Sequence, residues 1–222
     1  MLLLVALSPA PAAAQTAEAP PGPYAIDVRV ATGSLPQDAS FFPPAPAATP
    51  IPSASLGFDI GAHVYVFQLG PARVGLGLNL LRIGGAAAPP RPAASAGTPP
   101  ARPTLPDVDT RVRMFAPQLS LNFGSSRGWS YLSAGVGQIV ASTATSEFAA
   151  GSGSTASSIP VRTRETAALQ TINVGGGARW FNNEHVAFSF DVRFHKAAGR
   201  TKEGVSTVPV TLVTASAGIS LK

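Results

Sequence analysis

The chain has 222 residues, a formal charge of +5 and no cysteine, and only 12% of its residues are charged against 22 glycines and 22 prolines. That charged share is about half that of an ordinary soluble domain. The cations are scattered, with no Lys/Arg cluster or recognition helix, which excludes a nucleic-acid-binding face. No apolar run approaches the roughly 20 residues of a membrane-spanning helix.

The N-terminal Met1–Leu7 with Ala12-Ala13-Ala14 has the short apolar core and small-residue end of a secretory signal, although no Lys or Arg precedes Arg29. Residues 1–14 are therefore expected to be a signal peptide and residues 15–23 an Ala/Pro linker. An exported chain without cysteine must hold its fold without disulfides.

From Tyr24 the sequence alternates with period two, the spacing of a strand with two unlike faces. Tyr24, Ile26, Val28 and Val30 oppose Ala25, Asp27 and Arg29. After a Pro/Ala/Ser loop, Leu56, Phe58, Ile60, Ala62, Val64 and Val66 oppose Gly57, Asp59, Gly61, His63 and Tyr65. Gly70-Pro71 turns the chain into Val74, Leu76, Leu78 and Leu80 against Arg73, Gly75, Gly77 and Asn79, a hairpin signature. Residues 84–109 are low-complexity and Pro-rich. Leu119, Leu121 and Phe123 then oppose Gln118, Ser120 and Asn122. The run Arg111-Val112-Arg113 is out of phase, as at a bulge or a rim. Beyond Ser125–Gly128, Leu132, Ala134 and Val136 oppose Ser133, Gly135 and Gly137, and residues 141–164 read as a loop.

A sixth strand sets Ile172, Val174, Ala178 and Trp180 against Thr171, Asn173, Gly175, Gly177 and Arg179. Asn182-Asn183-Glu184 turns into the clearest segment of all, VAFSFDVRF. There Val186, Phe188, Phe190, Val192 and Phe194 oppose Ala187, Ser189, Asp191, Arg193 and His195. Residues 197–206 form a polar loop, and Val213, Ala215, Ala217, Ile219 and Leu221 carry the last strand. The count is eight strands, with connections alternately long and short. Short turns at one end and long loops at the other are the signature of transmembrane β-barrels.

The pattern resembles the small eight-stranded outer-membrane barrels of Gram-negative cell envelopes, the OmpA/OmpX-like group, over Tyr24–Lys222. Ser216, Gly218 and Leu221 match that group's C-terminal assembly signal, with Lys222 standing where a terminal aromatic is expected next. The resemblance implies an all-β fold, an eight-stranded antiparallel up-and-down transmembrane β-barrel over residues 24–222. It implies three short periplasmic turns, four longer extracellular loops and an outer-membrane location. Its implied partners are outer-membrane lipids, lipopolysaccharide as a candidate, and the barrel-assembly machinery. Trp129, Trp180 and Phe181, beside short turns, would form an aromatic girdle.

The inward parity collects Asp27, Asp59 and Asp191 with Arg29, Arg73, Arg179 and Arg193, joined by His63, His195, Asn79, Asn122 and Asn173. An eight-stranded barrel is only wide enough for side chains to fill. Buried charges must pair there, so an Asp/Arg network filling the lumen of a monomeric structural or surface-interaction protein is the expected arrangement. A narrow channel lined by the same groups is the alternative within the membrane. A soluble lipocalin-like barrel would instead point Phe188, Phe190 and Phe194 inward, around a small hydrophobic ligand. No outward His/Ser pair, nucleophile elbow or phosphate loop is present, so neither an enzyme nor a cofactor or metal site is expected. Arg91, Arg102, Arg162, Arg164, Arg200 and Lys202 fall in the long loops, where they suit lipopolysaccharide phosphates.

Overall fold

The computed structural model describes residues 22–37, 49–88, 107–146, 161–165, 168–198, 201–202, 205–206 and 209–222. The expected signal peptide and residues 15–21 of the linker lie outside these, as do Arg91, Arg102 and Arg200. Nor are the side chains of Arg162, Arg164 and Lys202 described.

Eight long strands form a closed antiparallel ring. They are β1 (Tyr24–Ser34), β2 (Ala54–Leu69), β3 (Ala72–Ala87), β4 (Val108–Ser125), β5 (Gly128–Ser146), β7 (Leu169–Phe181), β8 (Val186–Ala197) and β11 (Val210–Leu221). Each pairs with its neighbours in the ring, and β1 closes it against β11 from Ile26↔Leu221 to Gly33↔Thr214. Closure leaves these strands without a free edge, so the backbone groups are satisfied without water. Three short strands complete the set. β6 (Val161–Glu165) pairs with the far end of β5, and β9 (Thr201–Lys202) with β10 (Val205–Ser206).

The connections sort by length. Residues 70–71, 126–127 and 182–185 join strands at one end of the ring. Residues 35–53, 88–107, 147–168 (which include β6) and 198–209 (which include β9 and β10) join them at the other. Gly70 takes a φ of 57°, the left-handed backbone that the tight β2–β3 turn needs and that glycine adopts without strain.

The strands run further toward the long-connection end than alternation alone marks. β5 continues to Ser146 and pairs with β6, so residues 141–146 and 161–164 are strand where a loop was expected. β3 and β4 likewise extend into the Pro-rich stretch, to Ala87 and from Val108. The β3–β4 register runs unbroken from Ala72↔Phe123 to Ala87↔Val108, so Arg111-Val112-Arg113 is not a bulge. It is a rim, where the two faces exchange their chemistry. The register shift lies instead in β2, between Tyr65 and Phe67.

Candidate functional site

The alternation sets the two faces of the wall. Ile26, Val28, Phe58, Val64, Leu76, Leu119, Leu132, Val174, Phe188 and Phe194 are all exposed on the outside. Asp27, Arg29, Asp59, Asp191 and Arg193 are buried inside. With Phe188 and Phe194 outward and Asp191 inward, the lipocalin arrangement is ruled out. An apolar wall of this extent fits hydrocarbon and not water.

Inside, three layers follow one another along the barrel. The middle layer is ionised. Arg179 of β7 reaches across to β1, donating from Nε and Nη2 to the two carboxylate oxygens of Asp27 at 2.9 and 2.5 Å. Arg29 donates from Nε to Asp59 Oδ2 at 2.9 Å and from Nη1 to the Tyr131 hydroxyl at 2.9 Å. Tyr131 passes the chain on, donating to Asp191 Oδ2 at 2.8 Å. Arg193 then grips Asp191 from Nε and Nη2, and reaches Asn173 Oδ1 and Ser133 Oγ, each at 2.8 Å. Asp59 accepts further bonds from Asn79 and from Ser216 Oγ. Asp27, Asp59 and Asp191 thus face Arg29, Arg179 and Arg193, and their formal charges cancel. β1, β5, β7 and β8 are tied across the bore by side chains that leave no charge alone.

Local features make room for this layer. A side-chain carbon at Gly61 would stand 3.1 Å from Asp27 Oδ2 and 3.3 Å from Arg29 Nη2. One at Gly177 would come within 2.8 Å of the Tyr131 hydroxyl. Arg179 also lies over the Tyr131 ring, 4.2 Å from its centroid, a cation–π contact in a dry setting.

Not every inward residue joins the layer. Arg73 sits near the short-turn end, donating from Nη1 to Gly22 O at 3.4 Å. His195 meets Thr214 Oγ1 at 3.0 Å. His63 packs beside Tyr131 with neither ring nitrogen hydrogen-bonded. Among the described residues, no cluster of three metal-ligating side chains occurs. Asn79 and Asn173, expected on the inward parity, belong to the layer, and so do Tyr131, Ser133 and Ser216, which charge alone did not single out. Of the three residues expected to form a C-terminal assembly signal, Ser216 faces the lumen, Gly218 lies against β1 beside Arg29, and Leu221 points outward.

Toward the short turns the lumen becomes aromatic. Trp129 is 2% exposed and lies inside, edge-on to Tyr65 at 5.9 Å and stacked on Phe181 at 4.8 Å. Lys222 Nζ stands over Phe181 at 3.9 Å and donates to Ser126 O at 2.5 Å, across the mouth. The expected girdle is thereby corrected. Trp180 alone of the three faces fully outward, 53% exposed and stacked with Phe188 and Phe190. Trp129 shares the parity of Tyr131 and Ser133, which turns it inward.

Toward the long connections the lumen becomes apolar. Leu35, Leu81, Ile83, Val112, Met114, Ile139, Leu169 and Leu212 form one buried cluster, with Ile51 packed against it. There the outer face turns polar instead, with Arg82, Arg111, Arg113 and Lys196 exposed.

No protein-family model and no curated protein sequence matches the chain. Among solved structures it is similar to the Neisserial surface protein NspA, at 13% identity and a TM-score of 0.47, covering 90% of this chain and 97% of that one. It is also similar to Ail, the attachment invasion locus protein of Yersinia pestis, at 12% identity and a TM-score of 0.46, covering 89% and 96%. The outer membrane protein OprG of Pseudomonas aeruginosa is similar at 11% identity and a TM-score of 0.42, covering 92% and 97%.

Proposed function

We propose that the protein is an integral barrel of the bacterial outer membrane, monomeric, closed to ions and without catalytic activity, whose role is structural or one of surface interaction. The reading is carried by one pairing of opposites, an apolar exterior around a charge-balanced interior. Lipid replaces water on the outside, and the Asp/Arg layer with Tyr131 stands where a conducting bore would have to pass. The three short turns and both termini face the periplasm, and Ser216, Gly218 and Leu221 of β11 are read by the assembly machinery during insertion. The long connections face outward. Residues 1–14 direct export and are removed. The surroundings are outer-membrane lipids, lipopolysaccharide among them.

Two measurements test this reading. The chain from Gln15, folded in detergent micelles, should migrate faster on a denaturing gel unboiled than boiled. A β-rich monomer soluble in plain buffer with no such shift would overturn the membrane assignment. In planar bilayers the folded protein should give no discrete conductance steps. Steps abolished by a bulkier side chain at Gly61, where a side-chain carbon first meets the side chains of Asp27 and Arg29, would replace the closed barrel with the narrow channel.

A further inference from the structure

The geometry points to a binding site for a phosphorylated membrane lipid on the outer wall, formed by Arg82 and Arg113 above an apolar groove. The inference rests on the membrane reading above and adds to it a defined place and a ligand chemistry.

Register brings the two guanidinium groups together. Arg82 of β3 lies directly opposite Arg113 of β4, in a row flanked by Phe58 on β2 and Val140 on β5. Both arginines are on the outward parity and exposed. Like charges directly opposite one another on a sheet repel. Arg113 shares the exposed carboxylate of Glu165 at 3.2 Å. Among the described residues Arg82 has no acidic partner, so the pair keeps an excess of positive charge. A phosphate oxyanion between two arginines satisfies that excess, because the planar guanidinium fork matches phosphate geometry.

The row beneath decides what carries the phosphate. One step further into the apolar belt the same strands present Leu80, Phe115 and Gln138, again register partners. With Phe58, Arg82, Arg113 and Val140 they line an open groove of about 470 Å³. Above the pair, Gly84 faces Arg111, so β3 offers no side chain to close the site from that side. Arg111 is itself engaged with Asp109 at 3.2 Å. The site therefore presents paired cations at the edge of the belt and an apolar trough running down into it. An amphiphile with a phosphate at its head and an acyl chain below satisfies both parts, whereas free phosphate satisfies only the first.

The test is native mass spectrometry of the folded protein released from micelles holding equal amounts of lipid A, its dephosphorylated form and phosphatidylcholine. The wild-type chain should retain one lipid A, favoured over the dephosphorylated form by about tenfold, since charged hydrogen bonds are lost with the phosphates. Arg82→Gln with Arg113→Gln should abolish that preference, while Arg82→Lys with Arg113→Lys should keep part of it. Leu80→Trp, which fills the trough, should lower retention, and Arg111→Gln should leave it unchanged. Equal retention of all three lipids by the wild type would overturn the site, as would an undiminished preference in the double Gln variant. Displacement of bound lipid by inorganic phosphate alone would also overturn it, reducing the pair to an ion site. Each sample is first checked for the unboiled gel shift. A shift without lipid preference sinks this inference and spares the membrane reading, whereas no shift in the wild type sinks both.

Discussion

The middle of the lumen and its long-connection end are built on opposite rules. In the middle, around Arg179 and Tyr131, the wall is apolar outside and ionised within. At the far end, around Ile83, Val112 and Met114, it is polar outside and apolar within. Alternation is unbroken between them, as the continuous β3–β4 register requires. Only the chemistry assigned to each parity has changed. The middle of the barrel is therefore built as a wall for hydrocarbon, and the long-connection end is organised like a water-soluble β-barrel stacked on it. Strand length fits this division. β3, β4 and β5 have 16, 18 and 19 residues, where about 9 to 11 suffice to cross a bilayer.

The comparison is tested hardest in the middle layer. Arg179→Ala leaves the fully buried Asp27 with its nearest remaining cation, Arg29, at 3.6 Å. It should cost about 3 to 5 kcal/mol, read as a lowered urea midpoint in micelles. Pairing it with Asp27→Leu should recover most of that loss, because an apolar pair of similar volume needs no counter-ion. The exterior gives the next largest contrast. Leu119→Arg, in the middle of the outward apolar run of β4, should cost about 2 to 4 kcal/mol in lipid. Thr211→Arg, on the polar rim beside Lys196, should cost under about 1 kcal/mol in the same assay. Equal costs at the two sites would erase the boundary drawn at the rim. In the apolar layer, Leu212→Ala should lose about 2 kcal/mol or more, with no dependence on salt. The smallest effect is spectroscopic. With brominated lipids, most tryptophan quenching should vanish in Trp180→Phe and persist in Trp129→Phe, because lipid contact falls off over a few ångströms.

Much of this was legible in the chain. Period two set the inward and outward faces of β1, β2, β7, β8 and β11, because each mixes large apolar residues with Asp, Arg or Gly on opposite parities. It was less legible where the two parities trade chemistry. Arg111-Val112-Arg113 looked like a phase error, since alternation reports that two faces differ and not which one meets solvent. Trp129 was expected in the girdle from its nearness to a short turn, but distance from a turn says nothing about parity. The partners of the charged residues were beyond reach for another reason. Arg179 meets Asp27, 152 positions away in sequence, across a bore whose width and strand register no local pattern encodes. Tyr131 went unnoticed because an aromatic beside a hydrophobic run reads as wall, while its hydroxyl links two ion pairs.

The unequal strand lengths have a mechanical consequence. β5 exceeds β8 by seven residues, 19 against 12, or about 24 Å of extended chain. β3, β4, β5 and β6 therefore rise past the closed ring as a four-stranded parapet on one side of the mouth. Among the described residues, the ring strands β8, β11 and β1 on the opposite side end earlier. The ring strands therefore give this end of the barrel two unequal sides, and a load on the taller strands is carried down one side of the ring only.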